Sequence, residues 1–373
     1  MTIGRTLRFA LRILAVLVWT SAAAHFAEAA QAKNAPSIVN AKLETRTISG
    51  SLDATIRDIV SKNVDREWVG YSVPDISGER SVCCGNYNNG GDMGCGTCRL
   101  EKEHGEDGTT FSGDRTVSLE GGQMLSVLFR VEGKTVTHIR AASSNCTLDA
   151  GGLTFVWLNG VNPAESVAML EGYVKANNFE EGGHRDIGHG ALEAIALHAD
   201  PAADRAMEMF VAPSQPEELR RQAAFWLGEA RGKAGLRTLQ RMAKSDSSSE
   251  VRAHVTFALS VSREGGALDE MIRMAHDDTS SHVRGQALFW LAHKAGEKAV
   301  VTITGAIEND PDTEVKRKAL FALSQLPKDE GVPKLIAVAQ TNRNPEVRKQ
   351  AMFWLGQSND PRALQFFEKV LTQ

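Results

Sequence analysis

The segment PDTEVKRKALFALS, residues 311–324, decides the fold of the larger part of the chain. Val315, Ala319, Ala322 and Leu323 are spaced so that they form one apolar stripe on a helix with 3.6 residues per turn. The Pro-Asp-Thr sequence that opens the segment supplies a turn and a helix N-cap. The spacing therefore predicts an amphipathic helix that must bury its stripe against a neighbour.

This segment recurs every 32 residues along the second half of the chain. A second apolar helix follows each copy, as at Val332, Leu335 and Ile336, with Pro333 expected in its first turn. A fixed period without slippage predicts stacked helical pairs, in which neighbours bury each other's stripes. Phenylalanine marks the register at Phe225, Phe257, Phe289, Phe321 and Phe353.

An acidic or polar residue, an aliphatic residue and a basic residue open each copy and precede a helix of Ala and Leu spacing. This pattern resembles HEAT repeats, and most closely the short bacterial kind also seen in phycobilin lyases. The resemblance covers about residues 187–373 and implies an α-α superhelix, a HEAT-like solenoid, while it implies little about activity. The matching stretches are Glu218-Leu219-Arg220, Glu250-Val251-Arg252, His282-Val283-Arg284, Glu314-Val315-Lys316 and Glu346-Val347-Arg348.

The chain divides into three parts by texture. Residues 1–30 carry early arginines, a short apolar run and a small-residue stretch, the pattern of a cleaved secretory signal. Residues 31–160 predict a small Cys-containing α+β domain, and residues 161–373 the solenoid, so the fold class is mainly α. The apolar run is shorter than the roughly 20 residues that span a bilayer, so we expect no transmembrane segment after cleavage.

Strand patterns dominate the leading domain. Met124–Val131 and Thr135–Ala142 predict two strands around a turn, and 43–48 and 68–74 predict two more. Residues 52–60 predict a short helix.

The five cysteines all lie outside the repeats, at Cys83, Cys84, Cys95, Cys98 and Cys146. Export makes structural disulfides the first interpretation, with one thiol left over because five is odd. Two alternatives remain open. A zinc site would use Cys95-x-x-Cys98 with Cys83 or Cys84 and perhaps His104, and a redox-active Cys95-x-x-Cys98 would act as a reactive pair.

A basic residue follows the aliphatic one in every copy. Two interpretations compete for this ladder: each side chain bonds acidic or carbonyl groups in the adjoining turn, or the row forms a basic stripe that binds an acidic partner. The candidate partner-binding residues are Arg220, Arg252, Arg284, Lys316 and Arg348.

Two neighbouring features bear on this choice. Arg221, His254, Arg317, Lys318 and Lys349 add further basic groups beside the ladder. The position after the phenylalanine alternates as Trp226, Ala258, Trp290, Ala322 and Trp354, which indicates either large-against-small packing or a Trp-lined groove.

No catalytic motif stands out in the chain. It lacks His-Glu pairs, a phosphate-binding loop, Gly-x-Ser-x-Gly and His-Glu-x-x-His. His184, His189 and His198 with Asp186 form at most a weak metal candidate, and we expect no catalytic residue, cofactor or metal. Net charge of −4 does not favour nucleic acid.

The sequence therefore predicts an exported, periplasmic or extracellular, non-enzymatic scaffold or adaptor that holds a protein or peptide, acidic if the stripe is exposed. The alternative is an envelope redox or metal-dependent factor that acts through the Cys-rich domain while the solenoid recruits its substrate.

Overall fold

The structure is a computed structural model, and it describes residues 36–76, 80–83, 86–89, 97–101, 109–110, 124–177, 179, 187–294 and 296–372. The predicted signal segment, residues 1–30, lies outside the described residues. The chain divides into two compact units. The leading unit runs through residue 177 and takes in 187–202, and the repeat unit covers 203 onward together with residue 179.

The leading unit contains strands arranged in two sheets and a hairpin. The larger sheet has the order β2-β11-β3-β8-β9, with β2, β11 and β3 parallel and the last two pairings antiparallel. The smaller sheet has the order β1-β10-β6-β7, and β4 pairs with β5. The strands are β1 Ser37–Val39, β2 Lys42–Thr47, β3 Glu67–Pro74, β4 Arg80–Cys83, β5 Asn86–Asn89, β6 Thr97–Arg99, β7 Thr109–Thr110, β8 Met124–Glu132, β9 Thr135–Ser143, β10 Thr147–Asp149 and β11 Thr154–Asn159.

Three helices lie in the described part of this unit: α1 Leu52–Lys62, α2 Pro163–Ala176 and α3 Ile187–Leu197. α3 packs on β9 and on α2. The contact with β9 is close because residue 190 is glycine: a Cβ there would lie 2.0 Å from the Ile139 carbonyl oxygen. The core between the sheets contains Trp68, Leu128 and Phe155, which are fully buried.

The predicted strands and short helix of the leading domain are confirmed, since they match β8, β9, β2, β3 and α1. The sequence did not predict β11, the strand between β2 and β3. Its residues TFVWLN form a short apolar run with no alternation, as is typical of a strand covered on both faces.

The repeat unit is a row of helical pairs. The first helices are α5 Glu217–Ala230, α7 Ser249–Val261, α9 Ser281–Lys294, α11 Thr313–Ser324 and α13 Pro345–Gln357. The second helices are α6 Gly232–Ser245, α8 Gly266–Asp277, α10 Glu297–Asn309, α12 Lys328–Thr341 and α14 Pro361–Leu371, while α4 Pro201–Phe210 begins at the boundary of the units. Each first helix packs on the first helices of its neighbours. No helix in the described part of the chain is both long and apolar enough to cross a membrane.

The repeat pattern predicted this core. The leucine ladder of the first helices, from Leu227 to Leu355, is at most 2% exposed. Side-chain caps begin several first helices: Ser248, Asp312 and Asn344 each accept a hydrogen bond from a backbone N–H of the first turn.

The predicted solenoid boundary at residue 161 and the predicted degenerate pair at 187–211 stay predictions; in the structure, α2 and α3 lie in the leading unit, where α3 packs on β9. One detail differs from the sequence-based predictions. Pro333 does not lie in the first turn of its helix, because α12 begins at Lys328 and contains the proline in its interior.

Candidate functional site

The arginine ladder is bonded inside the repeat unit. Arg284 donates from Nε and Nη2 to the two carboxylate oxygens of Asp310, at 2.8 and 3.0 Å. Arg220 and Arg252 make the same two-pronged contact with Asp246 and Asp278. Paired N–H donors matched to a carboxylate give the strong, directional form of an ion pair. Each pair closes the turn that leads from its own helical pair to the next.

Two of the three aspartates, Asp246 and Asp278, also accept a hydrogen bond from the next arginine, so the three pairs are linked in a row. Arg252 donates from Nη1 to the Asp246 carbonyl oxygen at 2.8 Å, and Arg284 donates to the Asp278 carbonyl oxygen at 2.9 Å. The carboxylate of Asp278 further accepts the Ser280 N–H at 2.9 Å. Because one turn bonds two arginines, it fixes the spacing between neighbouring pairs.

These bonds alter the titration of the row. Desolvation alone would raise the pKa of Asp278, but the hydrogen bonds from Arg252 and from the Ser280 N–H outweigh it and hold the pKa below its ordinary value. The hydrogen bond to Asp310 similarly raises the pKa of Arg284. The hydrogen bond with Asp278 also raises the pKa of Arg252, so Asp278 and Arg252 both stay charged in the folded chain at neutral pH.

The aspartates were missed by sequence reasoning, although their signal is visible. Asp246, Asp278, Asp310 and Asn342 are also spaced by 32 residues. At the fourth step both partners change together: lysine replaces arginine at Lys316 and asparagine replaces aspartate at Asn342. Lys316 donates instead to the Glu308 carbonyl oxygen, and Arg348 to the Asn342 carbonyl oxygen, both at 2.8 Å.

These contacts favour the structural interpretation of the ladder. Arg220 and Arg284 are only 5% and 8% exposed, and their guanidinium groups donate hydrogen bonds to carboxylate and carbonyl oxygens. Lys316 and Arg348 are more accessible and lack a carboxylate partner among the described residues. A partner-binding role for the five candidate residues stays a prediction.

A second row lies on the first helices, and we call it the aromatic ridge. It consists of Phe225, Phe257, Phe289, Trp290, Phe321, Phe353 and Trp354. Phe225 stacks on Phe257 with ring centroids 5.7 Å apart, and Phe289 stacks on Phe321 at 5.9 Å. Trp290 joins these two stacks, since its ring lies 4.7 Å from Phe257 and 4.9 Å from Phe289.

The ridge continues to the last helical pair. Phe321 contacts Trp354 at 5.1 Å, and Trp354 contacts Phe353 at 5.0 Å. Most of these rings are half-buried, and Phe353 is 52% exposed. The first helices thus present an unbroken aromatic strip with part of its surface in solvent.

The Trp/Ala alternation has a packing explanation in this geometry. Trp290 lies against Phe257 of the preceding helix, where the residue next to Phe257 is the fully buried Ala258. Trp354 repeats the arrangement on Phe321, next to the fully buried Ala322. A large ring beside a small side chain fills the layer at high density. The same tryptophans belong to the ridge, so the packing and groove interpretations coexist.

Charged groups flank the ridge. Lys318 and Lys349 lie on its first helices, and Arg317 forms an exposed ion pair with Glu314 at 3.2 Å. His254 is different, because burial, aided by the nearby Arg221, lowers its pKa to about 4. This imidazole is therefore neutral at pH 7, and its ring packs edge-on against Phe257 at 5.5 Å. Cations accumulate toward the end of the ridge that Phe353 marks.

The cysteines are only partly within the described residues. Cys98 and Cys146 are both disulfide-bonded and almost fully buried, so neither is a free thiol. Cys84, Cys95, His104 and the side chain of Cys83 lie outside the described residues. The connectivity, the disulfide-rich character of the domain and the zinc and redox alternatives therefore stay predictions.

A serine and a histidine meet in the leading unit, but in its core. Ser166 Oγ lies 2.8 Å from His198 Nε2 and 2.7 Å from the Tyr71 hydroxyl, and His198 Nδ1 lies 2.6 Å from the Ala194 carbonyl oxygen. A carbonyl oxygen only accepts, so Nδ1 donates, and with a neutral ring the protons run from Tyr71 to Ser166 to Nε2. All three side chains are fully buried, so a substrate cannot reach this serine and the chain of bonds orders the core.

The remaining histidines do not assemble a metal site in the part that the structure describes. His189 lies on α3, whereas His184 and Asp186 fall outside the described residues. Among the described side chains, no three His, Cys, Asp or Glu groups converge as metal ligands would.

The helical pairs and their arginine–aspartate turns define a class. Residues 204–292 and 301–373 match the family described as HEAT repeats, and the stacked helical pairs of the repeat unit are similar to a HEAT-repeat solenoid. No curated protein sequence matches the chain.

Solved structures with related folds share little sequence with it. The complex of CpcE and CpcF of phycocyanin lyase from Nostoc sp. PCC7120 is 21% identical over 42% of this chain and 99% of that chain, with a TM-score of 0.32. Human deoxyhypusine hydroxylase with glycerol is 18% identical over 56% and 78%, with a TM-score of 0.25. Kap95p with RanGDP is 17% identical over 57% and 32%, with a TM-score of 0.38. We draw no activity from these likenesses.

Proposed function

We propose that this protein is a non-enzymatic scaffold that holds a protein or peptide partner along the aromatic ridge. The observation that carries the proposal is the continuity of the ridge over five first helices, with part of each ring in solvent and Phe353 largely exposed. Aromatic side chains are the commonest anchors of protein interfaces because they bury a large area with few rotatable bonds.

The partner carries acidic groups on this proposal. Lys318, Lys349 and Arg317 lie beside the ridge, and they are more exposed than the buried arginines of the ladder. Their attraction for a partner is exposed to solvent and therefore screened by salt. The acidic partner that we first assigned to the arginine ladder thus moves to these cations.

The proposed site of action is the cell envelope. The signal-like residues 1–30 support export, and two buried disulfide-bonded cysteines support an oxidising compartment. The bonded state of Cys98 also favours the structural interpretation of the cysteines over a reactive pair.

The experiment compares capture of partners from native cells by the full chain and by two matched variants. Phe353→Ser removes the most exposed ring of the ridge, and Val301→Ser removes a side chain of similar exposure, 63%, from the second helix α10. Loss of an aromatic anchor reduces affinity by about 30-fold, so Phe353→Ser should release a partner that wild type and Val301→Ser retain. A partner retained equally by all three forms would refute binding along the ridge.

A further inference from the structure

A cavity of about 210 Å³ opens beside the ridge between α12 and α13. Its apolar wall is formed by Leu326, Val332, Leu335 and the ring of Trp354, and Lys328 and Ser358 lie at its border. Trp354 belongs to both the cavity and the ridge, so an occupant of the cavity would touch a partner held along the ridge.

The equivalent helical pair two repeats earlier has a lysine where the cavity has Ser358. Ser358 corresponds to Lys294, 64 residues before it, and Leu326 corresponds to Ser262. Lys294 extends from α9 to donate to the Ser262 carbonyl oxygen at 3.4 Å, and desolvation lowers its pKa. Ser358 is short and turns back to the Leu355 carbonyl oxygen at 2.7 Å. The later pair lacks this long side chain, because Ser358 stands at the position of Lys294.

The residues around this space differ in charge between the two pairs. The Glu229 carboxylate partly offsets the desolvation that lowers the pKa of Lys294, and the equivalent of Glu229 64 residues later is His293, which is not acidic. Glu264 corresponds to Lys328, which borders the cavity. The earlier site suits a cation, whereas an ammonium group in the later one would meet Lys328. The later site suits an anion instead.

The ring of Trp354, which lines the cavity, also carries a hydrogen-bond donor. The Nε1 of Trp354 is buried and has no hydrogen-bond partner among the described residues. Ser324 and Ser358 also line the cavity, but neither hydroxyl lies within hydrogen-bond distance and geometry of Trp354 Nε1. A buried N–H without a partner is unfavourable, and a ligand with an acceptor oxygen would satisfy it.

We propose that this cavity binds a carboxylate on a short alkyl stem, such as the side chain of a glutamate in the acidic partner. The stem packs on Leu326, Val332 and Leu335, while the carboxylate accepts from Trp354 Nε1 and pairs with the Lys328 ammonium. The assignment of this carboxylate to the acidic partner rests on the proposed function. It goes beyond that function because it assigns a pocket and a charge to one point of the partner.

The test uses three probes of equal length: pentanoate, pentanamide and butylammonium. The indole N–H resonance of Trp354 in the full-length protein is assigned by its disappearance in Trp354→Phe and is followed during each titration. Pentanoate should shift this resonance saturably in the millimolar range, as expected for so small a ligand. Pentanamide should bind about tenfold more weakly because it cannot pair with Lys328, and butylammonium should give no saturable shift.

Two variants make the outcome decisive. Ser358→Met adds an uncharged side chain of about the length of lysine, so it should fold normally and abolish the pentanoate shift by occupying the cavity. Lys328→Glu should weaken pentanoate binding at least as much as the change from carboxylate to amide does. Equal binding of pentanoate and pentanamide, retained binding in Ser358→Met, or no pentanoate shift would overturn the inference.

The phenylalanine variant separates this inference from the proposed function. Phe353 is not part of the cavity lining, so Phe353→Ser should keep pentanoate binding while it loses the partner. If pentanoate does not bind but capture of the partner still depends on Phe353, only the pocket is refuted. Normal pentanoate binding without Phe353-dependent capture would refute the scaffold proposal but leave the carboxylate site standing.

Discussion

Replacing Arg284 by alanine should loosen the centre of the repeat unit, while the same change at Arg348 should have a small effect. Arg284 holds both oxygens of Asp310 and the Asp278 carbonyl oxygen, and the two side chains of the ion pair are 10% and 6% exposed. Removing one partner of a buried ion pair leaves the other charge unpaired, at about 3–5 kcal/mol. Partial exposure places Arg284→Ala near the lower end, at about 3 kcal/mol.

Arg348 provides the control because it occupies the same repeat position with different partners. It donates to the Asn342 and Arg343 carbonyl oxygens at 2.8 and 3.2 Å and has no carboxylate partner among the described residues. Loss of such neutral acceptors costs about 1 kcal/mol. The two substitutions should therefore differ by about 2 kcal/mol.

Hydrogen exchange followed by mass spectrometry measures this difference locally, which matters because a chain of two units need not unfold in one step. Amides of α9 and α11 should exchange about 100-fold faster in Arg284→Ala, since every 1.4 kcal/mol is a factor of ten. The double variant Arg284→Lys with Asp310→Asn copies the natural pair at Lys316 and Asn342 and should recover part of the protection. Equal exchange in the two alanine variants would refute the role of the carboxylates.

Three further outcomes follow from the geometry. Gly228→Ala should destabilise the repeat unit by about 2 kcal/mol in urea unfolding, because a Cβ would lie 2.1 Å from the Ala258 carbonyl oxygen. Gly356 occupies the same repeat position, and a Cβ there would have nothing described within 4 Å. Gly356→Ala should therefore stabilise the repeat unit by up to about 1 kcal/mol. A loss of stability equal to that of Gly228→Ala would contradict this explanation. The folded-state pKa of His254 lies below its unfolded value, so its contribution to stability is complete above about pH 6.5 and is lost as the pH falls toward 4. Thermal melts of His254→Gln should lack this part of the acid dependence. An unchanged dependence of the melting temperature on pH would contradict burial of a neutral ring. Thiol titration of the denatured, unreduced mature protein should detect one free cysteine of the five, whereas three or more would contradict two structural disulfides.

The repeat unit could be predicted from sequence because its pattern is local and periodic. The spacing from Leu227 to Leu355 reports burial directly, and each helix repeats the same cap and stripe. The bonding partners of the arginine ladder could be found only from the structure, because Arg284 and Asp310 are 26 residues apart and meet only through the turn. The matching period of the aspartates was visible but acquires meaning only when paired with the arginines.

The leading unit was harder to predict because its contacts are not local. β11 joins β2 and β3 as a parallel strand, and such pairing leaves no turn signal between partners. The place of α3 in the leading unit could not be read from its helical pattern, which is like that of a repeat, because it depends on the close packing on β9 that Gly190 allows. The cavity beside Trp354 needed both sources, because only the structure shows the space and only the repeat shows that Ser358 stands where the earlier pair has Lys294.

Photo-crosslinking in native cells tests the central claim, binding along the aromatic ridge, most directly. Benzoylphenylalanine is placed at Phe353 or Lys349 on the last first helix, and at Val301 on the second helix α10 as the control. We predict one discrete adduct from Phe353 and Lys349 that weakens as salt is raised, and no such adduct from Val301. The same adduct from Val301, or none from the two ridge positions, would contradict it.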